Sequence, residues 1–383
     1  MEVVYCPKCG KRMIVSKKDS HLQLKTMLGN LELYRHIVTC RRCHKGYAPM
    51  DRQLIISEGH KITRAVEEAV TDFAQMMPFG DANRTIKKYL GIDISPAIIQ
   101  DISENAGRKL FEKEKKEALD LYNNQFKAIE NIRDEDKKGR LYIEADGSMV
   151  LIKGEGWKEL KLGIVFKDSM ILNKNKPRHI IAEKEYTTYL GSAEEFKKML
   201  WTAAVKNGCG RVKEIVIIGD GAAWIWNIAG ELFPEAVLIL DFYHFSEHVN
   251  DCANAIYGDD AGNKKKWVNS IISGIKDGKV DETIESIKPD FYCDKVINES
   301  VMALKNYLMN NKDRLNYKYY EDKGYFIGSG AIESGNKCVI QARLKGAGMR
   351  WSMDGAQYIA SLRAAKKSNR WNKVQDIIYG NAA

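Results

Sequence analysis

Residues 214–242 constrain the fold of this chain more than any other segment. They read EIVIIGDG, then AAWIWNIAGELF, then PEAVLILDF. The first and last stretches are short and apolar, as buried strands are, and the middle stretch has the length and spacing of a helix. A strand, a helix and a strand in this order form a βαβ unit with parallel strands. The sequence therefore predicts an α/β fold.

The segments on either side extend this unit. The polar stretch DEDKKG at 134–139 predicts a hinge, and LYIEADGSMVLI followed by KLGIVF predicts antiparallel strands joined by hairpins. A helix is expected near 193–206. Residues 242–325 contain no further apolar strand run and predict a set of helices, and residues 329–375 predict further helices that are basic.

The N-terminal third changes character near residue 60. LQLKTMLGNLELYRHIVTC predicts two short strands around a turn at Gly29 and Asn30. Beyond residue 60, apolar residues recur at helical steps, a second helix is expected at about 81–90, and Ser95 with Pro96 opens a third. Two short helices joined by a tight turn suggest a helix-turn-helix that contacts DNA, and a plain helical bundle is the alternative.

Two close cysteine pairs predict a structural zinc site. Cys6 and Cys9 form one pair, Cys40 and Cys43 form the other, and 30 residues separate them. Each pair offers two thiolates from one tight turn, so that two pairs complete a tetrahedron. Four unrelated reduced cysteines are the alternative, and His44 is a competing ligand. The remaining cysteines are scattered and predict ordinary thiols: Cys209, Cys252, Cys293 and Cys338.

Three acidic residues occupy positions suited to divalent cations. Asp146 lies in a predicted strand, Asp220 follows a buried strand between two glycines, and Glu333 lies on a helix within GSGAIESGNK. Such a set can hold two ions about 4 Å apart, and hard oxygen ligands select Mg²⁺ or Mn²⁺. Asp220 could instead cap the helix that follows it. Glu144, on the same strand face, is the alternative to Asp146.

The charge distribution favours contact with phosphates. The chain carries 60 basic and 51 acidic residues, a net charge of +9. Between 337 and 373 there is one acid, Asp354, against nine basic residues: Lys337, Arg343, Lys345, Arg350, Arg363, Lys366, Lys367, Arg370 and Lys373. A solvated helical face usually mixes the two signs, so this run predicts contact with a DNA backbone. Asn336, Lys337 and Gln341 follow Glu333 at helical spacing and share its face.

Two long motifs resemble the bacterial insertion-sequence transposases of the ISLre and ISKra groups. They are GDGAAWIWNIAGELFPEAVLILDFYHFSEHV and GSGAIESGNKCVIQARLKGAGMRWSMDGAQYIASLRA. The N-terminal segments CPKCG, LGNLELYRHIVTCRRC and PMDRQL resemble the zinc-ribbon leader of these proteins. GIDISPAIIQDISENAG resembles their helix-turn-helix segment. The resemblance covers nearly the whole chain.

The resemblance implies an RNase H-like catalytic core with a DDE triad. Its acids would be Asp146, Asp220 and Glu333. LDFYH supplies an Asp-x2-His signature as Asp241 and His244. His244 would contact the scissile phosphate or position DNA, and a histidine buried beside the sheet is the alternative. Trp351 could stack on a flipped or terminal base, with a core tryptophan as the alternative.

Three domains follow from these observations: a zinc ribbon at 1–55, a helical, helix-turn-helix-like domain at 56–135, and a catalytic domain at 136–375 with a helical insertion at 242–325. Lys337, Arg343, Lys345 and Arg350 would hold the DNA backbone beside Trp351. The expected partners are the terminal inverted repeats of a transposon and its target DNA. Because strand transfer needs two ends, at least a homodimer is expected.

The expected activity is Mg²⁺-dependent strand cleavage at transposon ends followed by transfer of the freed 3′-hydroxyl into target DNA. A DNA-binding protein that has lost catalysis and an RNase H-like nuclease that only hydrolyses are the alternatives. The chain shows neither a signal peptide nor a membrane span, so a cytoplasmic, nucleoid-associated protein is expected.

Overall fold

The computed structural model of the chain describes residues 3–54, 56–57, 59–124, 137–172, 180–292 and 294–380. It divides into two compact units. Unit 1 comprises Met1–Lys113 and Arg343–Ala383, and unit 2 comprises Glu114–Ala342. Residues 343–375, predicted as the end of the catalytic domain, therefore group with the N-terminal residues, and the boundaries near 55 and 135 stay predictions. Cys293 and residues 134–136 of the predicted hinge lie outside the described residues.

The described residues of unit 1 form a three-stranded antiparallel sheet of β1 (Ile14–Thr26), β2 (Gly29–Thr39) and β3 (Gly46–Tyr47). The predicted turn at Gly29 and Asn30 is wrong, because Thr26 pairs with Gly29 and both predicted turn residues belong to β2. The turn lies two residues earlier. The Thr26 hydroxyl closes it by accepting from the Leu28 amide at 3.1 Å and donating to the Gly29 carbonyl at 2.8 Å.

The helices of unit 1 that follow are α1 (Pro49–Gln53), α2 (Arg64–Met76), α3 (Phe79–Leu90) and α4 (Pro96–Asn123), which continues into unit 2. The predicted second and third helices are confirmed. Gly91 ends α3 with a left-handed φ of 67°, and the Ser95 hydroxyl accepts from the Ile98 amide at 3.4 Å. The helices bury a shared apolar core: Ile62, Val66, Val70, Ala74, Ala82, Ile86, Ile92, Ile94, Ile99 and Ile102.

Within its described residues, unit 2 contains a five-stranded mixed sheet in the order β10-β9-β4-β5-β8. These strands are β4 (Arg140–Ile152), β5 (Gly156–Lys167), β8 (Glu185–Leu190), β9 (Glu214–Gly219) and β10 (Val237–Leu240); β6 (Ile171–Leu172) and β7 (Ile180–Ile181) form a separate pair. β4, β5 and β8 are antiparallel neighbours, and β9 and β10 run parallel to β4. The predicted hairpin and the predicted βαβ unit are both confirmed.

Two helices, α5 (Ala193–Lys206) and α6 (Ala223–Leu232), pack an apolar core against one face of this sheet. The predicted helical segment at 242–325 is confirmed as α7 (Phe242–Tyr257), α8 (Ala261–Lys276), α9 (Val280–Ser286), α10 (Lys295–Asn310) and α11 (Tyr317–Asp322). Next comes α12 (Gly330–Gly335), which runs directly into a π-helical turn at Asn336–Gln341. The π-helical turn widens the helix immediately after Glu333.

The chain then returns to unit 1 as α13 (Ala342–Leu344), α14 (Met353–Lys367) and α15 (Asn372–Tyr379). Glu68 of α2 holds α15 in place. Its carboxylate accepts hydrogen bonds from Trp371 at 3.1 Å, Gln375 at 2.8 Å and Tyr379 at 2.9 Å. None of the helices in the described ranges is long and apolar enough to span a membrane.

Candidate active site and metal centre

Two parallel neighbours, β4 and β9, bring Asp146 and Asp220 to the same edge of the sheet. Their last paired residues are Glu144 and Ile218. The same register, carried two residues further along both strands, sets Asp146 opposite Asp220. The carboxyl ends of parallel strands are where α/β sheets bind ligands, and Asp220 directly follows β9 at such an end. Asp146 lies level with it on β4, which continues to Ile152.

A third acid extends this row on the other side of β9. β10 pairs with β9 up to Leu240 and Gly219, and the Asp241 amide donates to the Gly219 carbonyl at 2.8 Å. Asp241 therefore follows β10 at the level at which Asp220 follows β9. Side chains alternate between the faces of a sheet, so these positions project from the face opposite α5 and α6. The row of acids is thus Asp146, Asp220 and Asp241.

Glu144 lies beneath the row, on the same face of β4 as Asp146. Its side chain is 1% exposed, and burial raises its pKa to about 8, helped by the nearby negative charges of Asp241 and Glu333. The Glu144 carboxylate accepts a hydrogen bond from the Ile332 amide at 2.8 Å. Glu144 therefore binds the backbone of α12 and has little surface of its own.

Asp241 is fully buried and binds two elements at once. It caps α7 by accepting from the amides of Tyr243 at 3.2 Å and His244 at 3.3 Å. It also accepts from the Ser329 amide at 2.9 Å, one residue before α12. Ser329 is the N-cap residue of α12, and its side chain makes no capping hydrogen bond. Asp241 thus fixes the start of the helix that carries Glu333.

Close packing at a glycine also fixes α12 on the sheet. A Cβ atom on Gly335 would lie 2.7 Å from the Tyr186 ring on β8 and 3.2 Å from Leu162 on β5. Neither neighbour can withdraw easily, because both are packed in the sheet. Glycine at 335 therefore lets the helix approach the strands closely, two residues after Glu333.

Asp146 is electrostatically linked to the other predicted site residues. Burial raises its pKa, the negative charge of Asp220 raises it further, and His244 acts in the opposite direction. Its two oxygens accept hydrogen bonds from the Gly147 amide, at 2.6 Å, and from the side-chain nitrogen of Asn336. Two carboxylates and a histidine thus act on one another at this edge of the sheet.

Asp220 also makes a hydrogen bond just before α6, although Ala222 and not Asp220 is the N-cap residue of that helix. Its Oδ1 accepts from the amide of Ala222, the N-cap residue of α6, at 2.9 Å, and the Tyr307 hydroxyl donates to its backbone carbonyl at 3.0 Å. Such contacts orient the Asp220 carboxylate. The hydrogen bond from Ala222 is compatible with a role of Asp220 as a metal ligand, because a carboxylate has two oxygens.

His244 lies on the first turn of α7 between two carboxylates. Its Nε2 is 3.9 Å from Asp241 Oδ2, and its Nδ1 is 3.3 Å from Glu247 Oε2. The side chain is partly exposed, so the predicted alternative of a fully buried histidine does not describe it. Glu333 is half-buried, and its Oε2 lies 3.9 Å from Nζ of the exposed Lys337.

The four cysteines of the two pairs come together in unit 1, as predicted. Their sulfurs all lie within 4.8 Å of one another, and those of Cys9 and Cys40 are 3.6 Å apart. Among the described residues, no other group of three or more candidate ligands is as compact as these four cysteines. The acids of unit 2 are spaced more widely. The cluster could hold a metal ion such as zinc.

The two cysteine pairs fold alike. The Cys6 amide donates to the carbonyl five residues on, at 2.8 Å, and the Cys40 amide does the same at 2.9 Å. Gly10 and His44 follow their pairs at equivalent positions with left-handed φ angles of 65° and 53°. His44 is exposed and outside the cluster, so it completes a turn and does not compete as a ligand.

The surroundings of the clustered sulfurs give Cys40 and Cys43 different pKa values. The pKa of Cys40 is lowered to about 7 because the Cys43 amide donates to its sulfur, at 3.4 Å. The pKa of Cys43 is raised to about 12 because its thiol interacts with Cys9, whose sulfur would repel a second negative charge. A bound zinc ion would remove this conflict by stabilising all four thiolates.

The predicted DNA-contacting residues separate into two groups. Lys337, Lys345 and Arg350 are exposed. Arg343 and Trp351 are buried in unit 1, which differs from the prediction. The Arg343 guanidinium lies 4.8 Å from the Trp351 ring and an equal distance from the ring of Phe79, and its Nε donates to the Ala74 carbonyl at 2.8 Å.

Trp351 is the core tryptophan that was the alternative interpretation. Its indole nitrogen donates to the Leu344 carbonyl at 3.1 Å. Both side chains are buried, so neither Arg343 nor Trp351 offers a surface to DNA. The buried basic residues of this run include Arg363 as well, which donates to the Gln75 carbonyl.

Sequence reasoning assigned no role to Asn336, although it noted that this residue shares a face with Glu333. Asn336 is 3% exposed and donates to Asp146. An amide three residues after a candidate acid was the available signal. The holding of α12 by Glu144 and Asp241 had no signal in the sequence, because backbone amides are the donors.

The chain as a whole is similar to one family of known proteins. The model of an uncharacterised protein family (UPF0236) matches residues 6–376. A curated relative from Streptococcus gallolyticus, named "UPF0236 protein in vanSb 3'region", is 23% identical over 372 residues, which cover 94% of this chain and 75% of the relative. The matched residues include the cysteine pairs, the row of acids and α12.

Proposed function

The chain belongs to the uncharacterised protein family UPF0236, and we propose that it is a DNA transposase that cleaves transposon ends and transfers them to target DNA. One observation carries the proposal. Asp146 on β4 lies in register with Asp220, which directly follows the neighbouring parallel strand β9, and the helix bearing Glu333 is fixed to the same face by hydrogen bonds to Glu144 and Asp241. Three acids from two strands and a helix are what phosphodiester chemistry with divalent cations requires.

The donor set suits Mg²⁺ or Mn²⁺. Asp146, Asp220 and Glu333 supply hard carboxylate oxygens, and the buried Oδ1 of Asn336 has no hydrogen-bond partner among the described residues. Mutual repulsion between Asp146 and Asp220, which raises the pKa of Asp146, would be relieved by a bound cation. When bound, the cation would activate the attacking oxygen and stabilise the leaving oxygen.

The protein's own groups would orient the reactants. His244 is partly exposed beside Asp146 and can donate a hydrogen bond to a phosphate oxygen. Asp241 and Glu144 hold α12 so that Glu333 keeps its place. The exposed Lys337 lies on the same helical run and would contact the DNA backbone.

The arrangement of unit 2 supports the RNase H-like core that the resemblance implies. An antiparallel sheet, β4-β5-β8, precedes the parallel strands β9 and β10, and the proposed acids stand on β4, after β9 and on α12. We further propose that the cysteine cluster is a zinc ribbon. Together with α2, α3 and α4, it would recognise terminal inverted repeats, and the protein would act on DNA in the cytoplasm as a homodimer or larger assembly.

The test combines the purified protein, its element's end sequences, Mg²⁺ and a target plasmid. We expect strand cleavage at the ends and joined products, both lost in Asp220→Asn. The control is Asp251→Asn, which removes an exposed carboxylate on α7 and should leave joining unchanged. Cleavage without joining would identify a nuclease, and binding without cleavage a DNA-binding protein. If Asp220→Asn still joined ends, the assignment of the acids would fail.

A further inference from the structure

Asn336 is buried beside the row of acids with half of its carboxamide unpaired. Its Nδ2 donates to Asp146 Oδ2, its side chain is 3% exposed, and its Oδ1 has no hydrogen-bond partner in the part of the chain that the structure describes. A buried amide oxygen without a partner costs free energy, so native proteins rarely retain one without a function or a bound partner.

The backbone at this position is also unusual. α12 ends at Gly335, and Asn336 is the first residue of a π-helical turn that extends to Gln341. Such turns are rare, insert one extra residue into a helix and occur often at functional sites. Here the turn begins at Asn336, three residues after Glu333, and Asn336 reaches Asp146 on β4.

We propose that Asn336 is a further ligand of the divalent cation in this site, contributing its Oδ1 while its Nδ2 keeps Asp146 oriented. This rests on the proposed function, because that function supplies the cation. Both atoms belong to one small planar group, so Oδ1 lies beside Asp146 as well. A neutral amide oxygen is a hard ligand of the kind that Mg²⁺ and Mn²⁺ accept next to carboxylates.

The arrangement assigns each end of the carboxamide a different task. A carboxylate at 336 could bind a cation but could not donate to Asp146, and alanine could do neither. These two substitutions therefore separate a ligand from a residue that only positions Asp146. A ligand role predicts weaker binding in Asn336→Ala and recovery in Asn336→Asp. A positioning role predicts that neither variant recovers, because the added carboxylate would repel Asp146.

The experiment measures Mn²⁺ binding to the full chain without DNA, from the electron paramagnetic resonance signal of free Mn²⁺. We expect Asn336→Ala to weaken binding by about 10–100-fold, the range for loss of a group that supports a metal site, and Asn336→Asp to bind at least as tightly as the unchanged protein. Gln341→Ala, an exposed change in the same π-helical turn, is the matched control and should bind normally.

Two results would overturn the inference. One is Mn²⁺ affinity in Asn336→Ala equal to that of the unchanged protein, and the other is weakened binding in both Asn336 variants. The variant Asp146→Asn distinguishes a failure of this inference from a failure of the proposed function. If Asp146→Asn loses Mn²⁺ while Asn336→Ala does not, only the ligand role of Asn336 fails. If Asp146→Asn also binds normally, the proposed cation site itself fails. Should Asn336→Ala not fold, Asn336→Asp is compared with the unchanged protein, and weaker Mn²⁺ binding in Asn336→Asp overturns the inference.

Discussion

Replacing Asp241 by alanine tests how α12 is fixed to the sheet. Asp241 accepts three backbone hydrogen bonds, two that cap α7 and one from Ser329 at the start of α12. Asp294 offers a matched comparison on α10. It accepts two capping hydrogen bonds, from Val296 at 2.8 Å and Ile297 at 3.0 Å, both within its own helix.

The expected cost follows from these contacts. Loss of an N-cap costs about 1 kcal/mol, and this term is common to Asp241→Ala and Asp294→Ala. A buried donor left unpaired costs about 1–3 kcal/mol, and only Asp241→Ala leaves the Ser329 amide in that state. Removing the Asp241 charge also relieves its repulsion of Glu144, which reduces the cost. We therefore expect Asp241→Ala to lower the free energy of unfolding by about 1–3 kcal/mol more than Asp294→Ala.

Guanidinium unfolding and hydrogen exchange can measure this difference. Asp241→Ala should increase exchange at 329–333 and leave the exchange of α10 unchanged, whereas Asp294→Ala should do the reverse. Asp241→Asn keeps an acceptor oxygen and should lie between the unchanged protein and Asp241→Ala. Equal costs for the two alanine variants, or unchanged exchange at 329–333 in Asp241→Ala, would refute the idea that Asp241 holds α12.

Three further predictions concern other parts of the chain. Chelation of zinc, or Cys43→Ser, should unfold the β1–β3 sheet, seen as lost strand signal in circular dichroism. Gly335→Ala should destabilise the protein by about 1–3 kcal/mol in thermal unfolding, because its Cβ would lie 2.7 Å from a tyrosine ring on β8; Gly330→Ala, with open space around it, should not. Arg343→Ala should destabilise unit 1 by about 2–5 kcal/mol, whereas Lys345→Ala should keep stability and lower the salt dependence of DNA binding by about one phosphate contact.

Local patterns in the sequence predicted much of the fold. The apolar runs before Asp220 and Asp241 gave the βαβ unit, and the cysteine spacing gave the cluster, because a pattern of near neighbours determines each. Ser95 with Pro96 marked the start of α4 for the same reason. The hairpin turn was misplaced because Gly29 and Asn30 are common turn residues, whereas hydrogen bonds of the Thr26 hydroxyl close the turn.

Burial of Arg343 could not be predicted in this way. A run of basic residues is a one-dimensional pattern, and it does not show which members face solvent. Arg343 is buried because the end of α2, 269 residues earlier, offers the Ala74 carbonyl, and because Phe79 and Trp351 enclose the guanidinium. Two aromatic faces and one carbonyl oxygen partly compensate the burial of this guanidinium. Each compensating group depends on tertiary structure.

The choice between Glu144 and Asp146 shows the same limit at the site itself. Both face the same side of β4, so alternation along the strand cannot distinguish them. The register with β9 does: Glu144 pairs within the ladder opposite Ile218, whereas Asp146 lies beyond it, opposite Asp220. The Glu144 carboxylate also accepts a hydrogen bond from the Ile332 amide of α12. A phosphodiester could approach Asp146 from the edge of the sheet, but it could reach Glu144 only by displacing α12. The two acids therefore differ in role: Glu144 holds the helix that carries Glu333, and under the proposed function Asp146 would face the substrate beside Asp220.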